Sequence, residues 1–403
     1  MKILMVNKFH YIKGGSETYY FALKRLLEAK GHTVIDFSME DERNFPSEYS
    51  SYFVRNADYS GGGSALEKLR IAKNIIYSGE AKRKFKKIVE DFRPDLVHLH
   101  IFQHQISPSI LDVIKKYKIP TVYTAHDLKM ICLNYKLMHH GKICEDCKDG
   151  KLRHCVKNRC VKNSKAKSLI NLCEGALHRF KKSYDAIGAI ITPSSFYREK
   201  FIEFGVEPDR LVHIPNFLDS DLPTVNRSAD SESYFLYFGR LSEEKGVMTL
   251  IRASAGLPIY IVGTGPLEKE LGDYIKNNNL TNIKMLGFKS GQELYDLVGN
   301  AKAVVLPSEW YENGPYSAIE ALALSRPIIG ADIGGIPELI RGNGLLFQSG
   351  NAEELGGCLK KLYALSPEEY AQMKNNSRRL FSEEYTPEIH YKKLSEVYRM
   401  VRK

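Results

Sequence analysis

The sequence predicts an α/β protein built from two doubly wound, parallel-sheet domains. Short apolar strands alternate with amphipathic helices along most of the chain, the signature of βα units. The alternation pauses in a polar run from Asp219 to Ser233 and then restarts, and 403 residues suffice for two domains of about 150 to 200 residues, each with its own core. The expected domains are 1–210 and 211–385, with 386–403 as a closing helix.

Lys2 to Asn7 is the first strand. It opens into Gly14-Gly15-Ser16-Glu17 and an amphipathic helix, Glu17 to Ala29, ended by Gly31. A glycine loop between strand and helix either cradles phosphate or simply turns the chain; Gly15 is the candidate, since a missing Cβ lets backbone approach an oxygen. Thr33 to Phe37 is the second strand. Asn44 to Gly63 then carries Phe45, Tyr49, Tyr52, Phe53 and Tyr59 among polar residues, read as satellite core or as an apolar lip for lipid.

Helices at Ala65 to Tyr77 and Glu80 to Phe92 follow, the second with a solvated face of Lys82, Arg83, Lys84, Lys86 and Lys87. Leu96 to His100 is a strand, Ser109 to Lys116 a helix, and Thr121 to Thr124 a strand running into Ala125-His126-Asp127. Open α/β sheets bind ligands at the carboxyl ends of their strands, which puts His126 at such a crevice, whereas His98 and His100 fit satisfied core histidines. Asp127 either orients His126 or caps the following loop.

An insertion from Cys132 to Cys173 interrupts the alternation. Cys144, Cys147, Cys155 and Cys160 are spaced C-x2-C-x7-C-x4-C, which suits one tetrahedral structural zinc, with His139, His140 or His154 able to replace a thiolate. Free thiols or an oxidised clip are the other readings. A helix from Leu169 to Tyr184, a strand from Ala189 to Thr192 and a helix from Phe196 to Phe204 complete this half, and Leu211 to Ile214 leads into Pro215-Asn216-Phe217 and the polar run.

The second half reads as strands Tyr234 to Phe238, Ile259 to Val262, Ile283 to Leu286, Ala303 to Leu306 and Pro327 to Ala331. Helices from Gly246, Leu267, Gln292 and Ser317 intervene, and helices Ala352 to Leu365, Pro367 to Phe381 and Pro387 to Val401 end the chain. Gly334-Gly335-Ile336-Pro337-Glu338 reads as a further loop into a helix start. Its centre of interest is Pro307 to Pro327. There Glu312, Asn313, Gly314 and Pro315 precede the helix from Ser317, so the N–H groups of Tyr316 to Ala318 are expected open, as at an anion-binding helix start. Glu320 lies about one and a half turns inside. Upstream, Gly239-Arg240 with Lys245-Gly246 offers a guanidinium fork and an ammonium, and Gly263-Thr264-Gly265-Pro266 is a second glycine turn.

These features together resemble the retaining glycosyltransferases of family 4, whose mark is E-x7-E and whose GT-B fold sets two Rossmann-like domains across a cleft. The resemblance covers nearly the whole chain and is most specific from Tyr234 to Phe347. It implies a sugar moved from a UDP- or GDP-linked donor to a saccharide acceptor, preferably lipid-diphosphate-linked, in cell-surface polysaccharide synthesis. It further implies that Arg240 and Lys245 stabilise the leaving diphosphate and that Glu320 holds the ribose. Glu312, Asn313 and Gly314 would hold the donor sugar beside His126, while Gly15 and Gly265 approach the donor through backbone. The chemistry then needs no cofactor. The sequence departs from the family at Phe217, where a Pro-Asn-Gly turn is usual, and at Asn313-Gly314, where many members carry Phe-Gly.

The formal charge is +10, and between Lys142 and Lys167 nine basic residues face three acidic ones, a net of +6. Without a recognisable nucleic-acid motif, an anionic membrane leaflet or a phosphorylated substrate is the expected partner. The start MKILMVNKFH lacks a signal-like apolar core, no run of about 18 apolar residues follows, and the seven cysteines are an odd count, so a cytoplasmic protein at the inner membrane face is expected. A nucleotide-sugar epimerase and a non-catalytic nucleotide-sugar or membrane-binding protein are the rival readings. A glycoside hydrolase would not need the cationic clamp.

Overall fold

The computed structural model describes residues 1–56, 64–218, 224–228 and 231–403. It divides into two compact units, Met1–Ile214 with Tyr391–Lys403, and Pro215–His390.

In the first unit β1 (Lys2–Val6), β2 (Thr33–Phe37), β3 (Leu96–Leu99) and β4 (Thr121–Thr124) are followed by a small hairpin, β5 (Met138–His139) and β6 (Lys142–Ile143). Then come β7 (Ala189–Thr192) and β8 (Leu211–His213). Among the described residues the main sheet is six-stranded, in the order β2-β1-β3-β4-β7-β8, and every pairing in it is parallel. Helices cover both faces, so the strands are apolar throughout: Ile3, Leu4, Met5 and Val6 are all fully buried. The order of strand addition reverses between β1 and β3, and the segments following β3 and β4 deliver His100 and His126 to one edge.

The second unit contains β9 (Phe235–Phe238), β10 (Ile259–Val262), β11 (Ile283–Met285), β12 (Ala303–Leu306), β13 (Ile328–Ala331) and β14 (Gly344–Phe347). Their order, β11-β10-β9-β12-β13-β14, is again all parallel. Alternate residues feed two cores. Leu236 and Phe238 pack with Val304, Leu306 and Ile328 on one face, and Phe235 and Tyr237 with Ile261, Val305 and Ile329 on the other. The switch point lies between β9 and β12, so the loops that follow these two strands flank one crevice within the unit.

The α/β, doubly wound class read from the sequence is the observed one. Several details differ. β14 was not expected; it is a short edge strand with only Phe347 buried. The β5–β6 hairpin turns at His140 and Gly141, both at positive φ (45° and 71°), the twist a two-residue hairpin prefers. The helix expected from Leu169 begins at Lys165, because the Ser164 hydroxyl accepts the Lys167 N–H. The helix expected after Gly334-Gly335 is a single 3-10 turn, Pro337–Leu339.

Of the polar run read as a linker, 219–223 and 229–230 lie outside the described residues. The remainder is tied to the second unit: Asn226 donates to Asp296, the Ser228 N–H to Asn300, and Glu232 pairs with Arg326 and Lys374. Tyr59 of the aromatic stretch also lies outside the described residues. Tyr49 and Phe53 are buried as satellite core, whereas Phe45, edge-on against Phe21, stays exposed. Among the described residues no helix is long and apolar enough to cross a membrane.

Candidate functional site

In the second unit three loops meet at the carboxyl edge of the sheet. The loop after β9 is locked to the loop after β10: the Gly239 N–H donates to the Val262 carbonyl and the Leu241 N–H to Thr264, while Tyr237 donates its hydroxyl to the Arg240 carbonyl at 2.7 Å. A Cβ on Gly265 would stand 2.2 Å from the Leu241 carbonyl, so this glycine, expected to meet donor, is required here by packing. Arg240 itself is exposed, and its guanidinium makes no hydrogen bond or ion pair with a described residue.

The same loop then folds onto β12. Gly246 has φ +64°, and a Cβ there would fall 1.8 Å from the Pro307 carbonyl. That approach sets Lys245 against Glu312, with Nζ and Oε1 2.7 Å apart. The ammonium also lies 5.2 Å from the centre of the Trp310 ring. Ser308 donates its hydroxyl to the same carboxylate oxygen at 2.7 Å. Burial works against the charged form of Glu312, which is only 6% exposed, but Lys245, Ser308 and Trp310 outweigh it and hold the carboxyl below its usual range. From the far side the loop after β13 clamps the backbone: the Gly335 N–H donates to the Glu312 carbonyl at 2.8 Å.

Gly314 presents its carbonyl to the Asn216 amide at 2.9 Å, and Pro315 caps the helix Tyr316–Ala323. Of the three N–H groups expected open at this helix start, that of Ala318 is not, because it donates to the Pro315 carbonyl at 3.1 Å in a tight first turn. Glu320 is partly buried, and its carboxylate makes no hydrogen bond or ion pair with a described residue. Burial alone pushes its carboxyl up to about 7. This edge thus offers the exposed Arg240 guanidinium, the Lys245 ammonium shared with a buried carboxylate, and the Glu320 carboxylate, which has no partner among the described residues.

In the first unit Gly15 is the exposed first residue of the helix Gly15–Ala29, and Gly14 before it is extended, at φ −174°. His126 stacks on His100, with ring planes 23° apart and Nε2 3.1 Å from the His100 Nδ1. Burial pushes His126 down to about 3. Asp127 does not orient it; its Oδ1 accepts the Lys129 N–H at 2.9 Å and caps the loop. His98 is a satisfied core histidine, between the Tyr398 hydroxyl and Thr124. His100, read the same way, is not, because its Nε2 is buried without a hydrogen-bond partner. Ser308, Trp310 and His100 are the residues that sequence reasoning missed. A second histidine at the end of the strand beside His126 was the available signal.

The cysteines Cys144, Cys147, Cys155 and Cys160 form no disulfide, and among the described residues no group of three or more His, Cys, Asp or Glu side chains is arranged to hold a metal ion. Beside them lies a surface cavity of about 650 Å³ whose lining includes Leu152, Leu172 and Phe180 with Lys151, Arg153 and Arg179; Phe180 is 87% exposed.

The model of the family described as Glycosyltransferase Family 4 matches residues 13–222, and that of Glycosyl transferases group 1 matches residues 220–380. An uncharacterized glycosyltransferase of Methanocaldococcus jannaschii is 24% identical over 391 residues, 96% of this chain and 94% of its own length. The O-antigen chain mannosyltransferase C of Escherichia coli is 27% identical over 237 residues, 55% of this chain and 62% of its own. Among solved structures, sucrose-phosphate synthase from Thermosynechococcus elongatus superposes with a TM-score of 0.71 at 18% identity, covering 100% of this chain and 99% of that one. HepE of Anabaena, in complex with UDP and glucose, gives 0.67 at 20% identity, covering 99% and 100%. These two share the GT-B fold with this chain.

Two predictions follow from the charges. Lys245→Met leaves the Glu312 carboxylate buried without its cation and should lower unfolding free energy in urea by about 2 kcal/mol or more, which Glu312→Gln in the same chain should largely restore. A double variant no more stable than the single one would show that the pair is not the cause. Glu320→Gln should raise the melting temperature at pH 8, because the native state there carries a carboxylate it resists ionising. The gain should shrink as pH falls from about 7 towards 4.5, the ordinary carboxyl value, where the wild-type group is protonated in both states. A gain that widens on acidification has the wrong sign.

Proposed function

Because the chain belongs to glycosyltransferase family 4, we propose that it moves a sugar, with retention of anomeric configuration, from a UDP- or GDP-linked donor to a lipid-diphosphate-linked saccharide during cell-surface polysaccharide synthesis. The observation that carries this reading is the placement of Arg240, Lys245 and Glu312 on loops, and of Glu320 in the helix that follows them, at one sheet edge of the second unit. As the glycosidic bond breaks, charge builds on the leaving diphosphate and must be met by donors already in place. Arg240 supplies a bidentate fork. Lys245, held by Glu312, supplies a second cation whose position is fixed before the donor arrives. Glu320, without a partner in the free protein, accepts from the ribose hydroxyls, and Glu312, with Asn313 and Gly314, reads the sugar. The departing phosphate takes the acceptor proton, so no metal enters this chemistry.

Two relatives bear on the setting. The mannosyltransferase named above is described by its O-antigen chain, and a 30% identical relative over 177 residues is an amylovoran biosynthesis glycosyltransferase of Erwinia amylovora. HepE was solved with UDP. The acceptor half of the proposal rests on the first unit. Lys151, Arg153, Lys157 and Arg159 are exposed, and Arg179 and Phe180 add a cation and an apolar surface beside them. This combination suits an anionic leaflet, where each cation contributes about 1 kcal/mol and salt removes the attraction. A zinc bound by Cys144, Cys147, Cys155 and Cys160 would stiffen that segment. Elemental analysis of protein purified without added metal decides it.

Purified protein offered a panel of UDP- and GDP-sugars with extracted lipid acceptors should release nucleotide and form one glycosylated lipid. Arg240→Ala should lower that turnover by about 100-fold. Interconversion of the nucleotide sugar with no acceptor consumed would instead mark an epimerase, and wild-type turnover in folded Arg240→Ala would remove the clamp. Vesicle sedimentation should require anionic lipid, fall steeply with salt, and weaken when Lys151, Arg153, Lys157 and Arg159 are neutralised; protein left in the supernatant at low salt would contradict attachment.

A further inference from the structure

We propose that His100 is a positioning residue that holds His126 as its Nδ1–H tautomer, so that His126 meets a sugar at this strand edge as a hydrogen-bond donor and not as a base. The sugar contact rests on the function proposed above; the tautomer does not. His100 and His126 lie just past the ends of the neighbouring strands β3 and β4, and their rings are stacked with centroids 5.4 Å apart. The Nδ1 of one and the Nε2 of the other are 3.1 Å apart, a distance that holds one shared hydrogen. Both rings are neutral at working pH: burial, then the neighbouring His98 and His126, pushes His100 well below the ordinary imidazole value, and burial does the same for His126.

Two assignments remain for the shared hydrogen. If His126 donates from Nε2, His100 must carry its own hydrogen on Nε2, which is buried with no hydrogen-bond partner. If His100 donates from Nδ1, that buried Nε2 is only an unused lone pair. An orphaned N–H is the rarer and costlier defect in protein interiors, so the second assignment holds. His98 cannot relieve the strain, since both its nitrogens are taken by Tyr398 and Thr124. The Asp127 carboxylate is occupied at Oδ1 by the Lys129 N–H. His126 therefore carries its hydrogen on Nδ1. That nitrogen makes no hydrogen bond with a described residue, and the side chain is partly exposed. It can donate to a sugar hydroxyl or a phosphate oxygen but has no lone pair with which to accept a proton from an acceptor alcohol.

The test is nitrogen NMR of the full chain labelled at histidine, with His126→Gln used for assignment. In the free protein His126 should show a protonated Nδ1 and a bare Nε2. His100→Asn, whose amide N–H stands near the position of the lost Nδ1, should keep that pattern, whereas His100→Leu should release His126 towards the Nε2–H form that imidazole prefers in water. His100→Leu should also weaken an intact nucleotide sugar about tenfold, the worth of one hydrogen bond, while leaving the free nucleotide unchanged, and His100→Asn should recover most of the loss. A protonated Nε2 in wild-type His126, or a tautomer unaltered in folded His100→Leu, overturns the proposal. Equal nucleotide-sugar affinity in all three proteins overturns the sugar contact. Absence of glycosyl transfer by the wild-type protein would fall on the proposed function and leave the tautomer standing.

Discussion

The binding edge of the second unit is arranged around one ion pair, that of partly exposed Lys245 with buried Glu312. A carboxylate that is 6% exposed is costly unless a cation and further hydrogen bonds meet it, and the loops of this edge exist in the conformations that supply them. Gly246 lets the Lys245 loop touch the Pro307 carbonyl. Gly334, at φ +63°, lets the loop after β13 lie against the Glu312 backbone, where a Cβ would stand 2.5 Å from its amide nitrogen. Replacing the pair by apolar residues would satisfy the core as well. Keeping it leaves an ammonium fixed at the mouth of the crevice, which an exposed lysine on a flexible stem would not be.

The two units use opposite electrostatic strategies. The second keeps charge, with an exposed guanidinium and an ammonium fixed by a buried carboxylate, while burial holds the Glu320 carboxyl above its ordinary range. The first removes charge, stacking His98, His100 and His126 so that burial keeps His100 and His126 neutral with one hydrogen bond between them. Fixed charge suits a leaving diphosphate. A neutral hydrogen-bond donor suits a sugar, which must be oriented and not protonated.

Much of this was legible in the sequence. The βα alternation gave both sheets, because fully buried parallel strands must be apolar at every position and the helices between them amphipathic. Arg240, Lys245, Glu312 and His126 stand past strand ends and Glu320 inside the helix that follows, and the resemblance to family 4 singled them out. What was not legible depends on contacts between distant segments. Nothing local says that Lys245 would spend its charge on Glu312, or that Gly265 is required by the Leu241 carbonyl. β14 was missed because an edge strand with one buried residue has no period to read. His100 looked like His98 because both alternate into the same core, and only the partners across the sheet, Tyr398 for one and His126 for the other, separate them.

In the proposed reaction the leaving diphosphate, met by Arg240 and Lys245, takes the acceptor proton, and the bond to the acceptor forms on the face the phosphate leaves. Proton NMR of the product made from an anomerically pure nucleotide sugar tests that most directly. The anomeric coupling should report the configuration of the donor; an inverted anomeric centre would contradict the account.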